Sequence, residues 1–359
     1  MHLKDCLLGD VVTFQRGHDL PKAQMVDGPY PVLGSNGIIG YHNRYTTTGP
    51  VIVVGRSGNV GYPFMVKSNA WAHNTSLYIK DFKGNDPIFI YYFLQTLNLA
   101  KFAGGSAVPT LNRNHINTIK VKIPKDVSVQ QKIGSVLASF DEKISTNNKI
   151  NDNLEAQALA LFNELYSKSN QEVLYIDQIQ ILGGGTPKTG ESSFWNGEIP
   201  FFTPKDAKFS YTICTEKKLT TEGLSHCNSQ LYPKNTVFVT ARGTVGKVSM
   251  AGVPMAMNQS CYALIGKCIP QLLVYFYTQK IIRNLKNKAN GAVFDAITTR
   301  DFEYETVMKF SDDLLNKFNA KVEPIYNLIL NNHLENQQLT SLRNSLLNQL
   351  MSNGAERLV

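Results

Sequence analysis

Residues 51–61 read VIVVGRSGNVG and residues 237–246 read VFVTARGTVG. Each is a run of β-branched and aromatic side chains, a strand signal, that stops at an arginine among glycines. Arg56 aligns with Arg242 and Gly61 with Gly246, and the match extends outward. AHNTS at 72–76 answers AMNQS at 256–260, the stretch from Gly105 (GSAVPTLNRNHI) answers that from Gly291 (GAVFDAITTRDF), and VKIP at 121–124 answers VMKF at 307–310. Upstream the separation of about 185 shrinks, yet GHDLPK at 17–22 still pairs with GGGTPK at 183–188. A fixed internal period makes the chain a duplication. Each copy begins with a strand-rich lobe, interrupted by one amphipathic helix near 87–101 and another near 270–288.

Each lobe is followed by a helix-period segment. Ile133, Leu137, Phe140, Ile144, Asn147, Asn151, Leu154, Ala158, Leu161 and Leu165 step by four and three in strict alternation. Adding 185 gives Phe318, Val322, Ile325, Ile329, Asn332, Asn336, Leu339, Arg343, Leu346 and Leu350, a second seam in the same register. Two matched heptad helices predict an α+β chain in which two β-rich lobes are joined by two long helices forming an antiparallel coiled coil. The expected divisions are 1–125, 126–170, 171–310 and 311–359. Antiparallel pairing would hold the lobes at opposite ends of a rod and bring Asn147, Asn151, Asn332 and Asn336 together at its centre. There they would reject shifted registers, because a slip sets an amide against leucine. A broken helix over TNNKINDN is the alternative.

Composition narrows the function. The 359 residues carry 36 Lys plus Arg against 28 Asp plus Glu. The first lobe holds a net +7 and the second +4, while both helical segments are slightly acidic, which fits polyanion binding at two places. Apolar runs such as 88–94 and 272–277 fall far short of the ~20 residues that span a bilayer. Five cysteines without CxxC spacing fit a reducing compartment, so a cytoplasmic protein is expected.

Two divergent basic lobes and two similar long helices resemble the specificity subunit of type I restriction-modification systems. The strongest pieces are GGGTPKTGESSFWNGEIPFFTPKDAKF at 183–209 and YPVLGSNGIIGYHNRY at 30–45, similar to the openings of that family's target recognition domains. The resemblance implies two β-rich target recognition domains, each reading half of a split double-stranded DNA site, with the helices as a ruler. It implies two methyltransferase subunits as partners, two motor-nuclease subunits reached through them, and no catalysis by this chain. S-adenosylmethionine, ATP and Mg are then expected on the partner subunits and no cofactor or metal here. The chain starts almost directly with the first recognition domain, so a large N-terminal partner-binding extension is not expected.

Base reading requires bidentate donors and acceptors on loops. Arg56 and Arg242, each at a strand end before glycines, are the leading candidates; an exposed arginine on an ordinary hairpin is the other reading. Lys22, Lys188, Lys205 and Lys247 suit phosphates. His73 and Asn74, Asn258 and Gln259, and Ser35 with Asn36 either read bases or satisfy turn backbones. The sequence holds no GxxxxGK[ST], no Asp/Asn-Pro-Pro-Tyr and no HEXXH. Asp206, Glu216 and Lys218 could be arranged as a self-sufficient Mg-dependent nuclease, and His226 with Cys227 lacks zinc spacing. The recognition subunit of a type II split methyltransferase/nuclease is the close alternative.

Overall fold

The computed structural model describes residues 2–104, 109–288 and 296–352. The chain divides into two compact units, Met1–Ile144 with Gln338–Val359, and Ser145–Gln337. Each holds one lobe and a stretch of both long helices. The openings of the GSAVPTLNRNHI and GAVFDAITTRDF repeats fall partly outside the described residues.

In the first unit, strands β1 (Thr13–Arg16), β2 (Tyr30–Gly34), β3 (Gly37–His42), β4 (Val51–Gly55), β5 (Pro63–Val66), β6 (Trp71–Ala72) and β7 (Ser76–Asp81) make two sheets. One has the order β1-β7-β4-β5 and the other β3-β2-β6. Val51–Val54 are buried on both faces, which is why β4 reads as an unbroken apolar run rather than an alternation. Helix α1 (Pro87–Thr96) covers the larger sheet, started by the Asp86 carboxylate, which accepts from the Phe89 N–H at 2.8 Å. A short helix α2 (Arg113–Asn117) follows, capped by Asn112. The ribbon Leu3–Leu7 with Lys120–Pro124 closes the lobe. Helix α3 runs over Val127–Tyr166.

The second unit repeats the plan. Besides a closing ribbon of Glu172–Leu174 with Thr306–Met308, its strands are β8 (Ile179–Gly183), β9 (Trp195–Phe202), β10 (Tyr211–Thr212), β11 (Lys217–Leu219), β12 (Val237–Thr240), β13 (Val248–Ala251), β14 (Ala256–Met257) and β15 (Cys261–Gly266). They pair in the orders β8-β15-β12-β13-β10 and β11-β9-β14. Removing β10, an added edge strand, leaves the topology of the first lobe. Helix α4 (Gln271–Lys288) stands where α1 stood, α5 (Arg300–Glu303) where α2 stood, and α6 (Asp312–Ser352) follows. The shrinking separation has a location. Leu33 pairs with Ala72 and Phe202 with Met257, so these strands are 169 residues apart. Gly61 and Gly246, by contrast, are separated by 185. The excess in the second lobe lies between β9 and β12.

In each unit the two long helices pack on one another and on the lobe. In the first, Ile133 and Leu137 join a core that includes Leu347 and the buried face of α1, and the Arg343 guanidinium bonds the Asp141 carboxylate. In the second, Ala158, Phe162 and Leu165 of α3 meet Phe318, Val322, Tyr326 and Ile329 of α6. Phe162, Tyr326, Leu330 and Leu347 are buried although they lie off the heptad seam. The buried stripe is wider than a two-helix seam because the lobe packs on the same helices.

The four seam asparagines meet as two antiparallel pairs. Asn147 Nδ2 donates to Asn336 Oδ1 at 2.9 Å and to Glu335 Oε2 at 2.6 Å. Asn332 Nδ2 donates to Asn151 Oδ1 at 2.8 Å. Helix α3 is continuous through TNNKINDN.

Candidate DNA interface

The arginine hairpins are built by backbone geometry. After β4 the chain turns with Gly58 at φ +82° and Gly61 at φ +83°; after β12 it turns with Gly243 at +83° and Gly246 at +72°. These are left-handed conformations that glycine adopts without strain. The Gly61 N–H bonds the Gly55 carbonyl at 2.8 Å, and the Gly246 N–H bonds the Thr240 carbonyl at 2.8 Å. A Cβ on Gly61 would lie 2.3 Å from the Ala100 nitrogen, so the turn sits directly on neighbouring backbone.

These bonds correct the alignment of the two arginines. The N–H groups of Arg56 and Ser57 both reach the Thr75 carbonyl, at 2.8 and 3.2 Å; those of Ala241 and Arg242 both reach the Ser260 carbonyl, at 2.8 and 3.2 Å. The Arg56 carbonyl accepts from the Leu111 N–H at 2.8 Å, and the Ala241 carbonyl from the Ile297 N–H at 2.9 Å. Arg56 therefore corresponds to Ala241, and Arg242 to Ser57. Arg56 is half-buried, whereas Arg242 is exposed. The neighbouring segment slips likewise. His73 N–H bonds Leu33 O at 2.9 Å as Asn258 N–H bonds Phe202 O at 3.0 Å, which aligns His73 with Asn258 and Asn74 with Gln259.

Around the first hairpin, a Cβ on Gly58 would lie 3.2 Å from Ser35 Oγ, so the Ser35–Asn36 turn sits beside the Arg56 loop. The Ser35 N–H donates to Thr75 Oγ1 at 3.4 Å and Asn36 is exposed. His73 Nδ1 shares a hydrogen bond with the same hydroxyl at 2.9 Å, and Asn74 donates to the Asp19 carboxylate. Lys22 opens an exposed 3-10 turn, Lys22–Gln24. Around the second, Lys205, Gly243, Thr244 and Asn258 line one cleft of about 410 Å³. Asn258 Oδ1 accepts from the Ser260 N–H at 3.1 Å, and Gln259 accepts from the Thr186 hydroxyl. Lys205 is 4.0 Å from the Glu216 carboxylate. Lys188 and Lys247 are exposed.

Sequence reasoning passed over three residues that share a groove with Arg56. Arg16, Arg113 and His115 line it, with Leu77 among its other walls and a volume of about 570 Å³. Arg16, Arg56 and the Arg113–His115 helix lie far apart in sequence, and strand pairing gathers them. Arg16 ends β1 opposite Leu77 of β7, whose next neighbour β4 leads into Arg56, and the Leu111 bond to the Arg56 carbonyl draws in α2.

The nuclease arrangement has other work for its acid. Asp206 accepts from the Thr203 N–H and hydroxyl at 2.8 and 2.7 Å and from the Glu216 N–H at 3.0 Å, tying two loops. The His226 ring stacks on Phe194 at 4.8 Å. Among the described residues no cluster of His, Cys, Asp and Glu is placed to hold a metal, and no described helix is long and apolar enough to cross a membrane.

A two-lobe, two-helix architecture with the same loop frame built twice defines a class of DNA-specificity proteins. The model of the type I restriction modification DNA specificity domain matches residues 4–156 and again 170–308. The chain belongs to this family: it is a type I restriction-modification specificity subunit, the non-catalytic component that directs DNA recognition. It is 28% identical over 286 residues to the specificity subunit of the type I restriction enzyme EcoR124I/EcoR124II of Escherichia coli, covering 72% of this chain and 70% of that one. It is 30% identical over 156 residues to the specificity subunit of the MjaIX enzyme of Methanocaldococcus jannaschii, a stretch spanning 38% of this chain and 36% of that relative. In fold it is similar to the S subunit of a type I restriction-modification system from M. genitalium, with a TM-score of 0.65, 15% identity, and 98% of this chain and 96% of that chain covered.

Proposed function

We propose that the chain reads a bipartite double-stranded DNA target, one half with each lobe, and presents it to two methyltransferase subunits for adenine methylation. Two motor-nuclease subunits would join through the methyltransferases, and S-adenosylmethionine, ATP and Mg would be bound by those partners. The observation that carries this reading is the duplicated hairpin frame, with matching hydrogen bonds in both lobes holding different side chains. An identical frame with different side chains suits two half-sites of different sequence. Arg56 and Arg242 are proposed to contact bases or adjacent phosphates; Ser35, Asn36, His73, Asn74, Asn258 and Gln259 flank them, and Lys22, Lys188, Lys205 and Lys247 meet the backbone. The seam asparagines would fix helix register.

The test is to assemble the chain with its methyltransferase and map methylated adenines on DNA of varied sequence. A split site of two unlike halves separated by unread base pairs is expected, with binding that weakens steeply as salt rises. Methylation at a single continuous site would refute the two-lobe reading.

A further inference from the structure

We propose that the groove formed by Arg16, Arg56, Arg113 and His115 in the first lobe is a seat for the phosphodiester backbone of duplex DNA, and that among its described residues the second lobe has no counterpart to it. The inference rests on the DNA-reading function proposed above and adds three residues and an asymmetry to it.

Arginine cannot shed its charge at neutral pH, so guanidiniums gathered in one groove repel each other unless an anion lies between them. Among the described residues, the side chains of Arg16, Arg56 and Arg113 make no hydrogen bond or ion pair with the protein, and no carboxylate lines the groove. A planar donor fork left free in this way is matched to phosphate oxygens. Leu77 at the groove wall keeps part of the site apolar, which strengthens an ionic contact relative to bulk water.

The second lobe is an internal control on whether the scaffold needs these cations. Arg16 lies opposite Leu77 as Gly183 lies opposite Tyr262, and Arg56 corresponds to Ala241. His115 N–H bonds Asn112 O at 3.0 Å as Asp301 N–H bonds Thr298 O at 3.2 Å, so Arg113 and His115 correspond to Thr299 and Asp301. The next residues, Ile116 and Phe302, are both fully buried. The same fold thus stands with Gly183, Ala241, Thr299 and Asp301 in place of all four groove residues. Asp301 also brings a carboxylate, which accepts from the Thr298 N–H at 2.6 Å and its hydroxyl at 2.9 Å. The cations are therefore not required for folding, and their presence in one lobe alone marks a binding function.

The test compares the full chain, assembled with its methyltransferase, with the double variant Arg16→Gln and Arg113→Thr. The second change installs the residue that the other lobe already tolerates. Binding is measured from low to high salt on a duplex carrying the methylated target and on a duplex of random sequence. Each phosphate contact contributes about 0.9 to the slope of log affinity against log salt, so the double variant should flatten the slope by roughly 2. Both duplexes should weaken by the same factor, the methylated sequence should not change, and Arg113→Lys should keep its share of the slope. An unchanged slope in a variant that melts like the parent overturns the groove assignment while leaving the lobe's reading function intact. Loss on the target duplex alone, with a relaxed methylated half-site, also overturns it in favour of base reading. A parent complex with no salt-dependent affinity for duplex refutes the functional reading and this one together.

Discussion

Arg242 projects from a loop whose backbone bonds are already satisfied, so removing its side chain leaves the frame standing. Arg242→Ala is expected to weaken specific binding by the assembled methyltransferase by about 1–3 kcal/mol and to relax base preference in one half of the target only. Arg56→Ala, which empties part of the phosphate groove, should instead weaken target and random duplexes alike and leave the methylated sequence unchanged; binding curves and sequencing of methylated sites for each variant check both. His333 illustrates a different residue-scale effect. It is buried, its ring lies 5.0 Å from that of Phe209, and Nε2 has no partner. Burial holds its pKa below the usual 6.5. The unfolded chain therefore takes up a proton that the folded chain resists. The associated stability is present above pH ~6.5 and is lost as pH falls toward the lower folded value. Replacing His333 with Leu should make the urea midpoint fall less between pH 8 and pH 5 than it does in the parent.

At the scale of elements, the asparagine pairs separate the cost of an unpaired amide from the value of a hydrogen bond. Asn151→Leu alone leaves the Asn332 amide facing an apolar side chain and should cost about 1–3 kcal/mol; Asn332→Leu alone should behave alike. The double replacement should recover most of that loss, read as a coupling energy in a denaturation cycle. Both long helices were legible in the sequence because a heptad seam repeats a local signal over ten positions. The lobes were legible as a duplication, and so was the strand–arginine–glycine turn. The register between the copies was not, since an arginine near a glycine in each copy outweighs a one-residue slip that only hydrogen bonds to Thr75 and Ser260 expose. The Arg16–Arg113 groove was equally hidden, because sheet pairing and not sequence proximity brings these side chains together. Strand β10, two residues long, carries too little periodicity to announce itself.

For the whole molecule, residues 171–310 contain every strand of the second lobe and exclude both long helices. Exchanging this block for the matching lobe of a related specificity subunit should change one half of the methylated sequence and keep the other. Methylation at the unaltered parental site would show that the lobe does not carry its half of the specificity.

The loop frame has an implication for how such a protein can change its target over generations. Among the described residues, main-chain groups hold positions 56 and 57 to Thr75 and Leu111, and 241 and 242 to Ser260 and Ile297, and main chain is common to all residues except at proline. One lobe shows arginine then serine on this mount, the other alanine then arginine. On the DNA-contact role proposed above, single substitutions there would alter recognition without disturbing the main-chain frame, which makes the mount an inherited constant and the side chains on it free alleles.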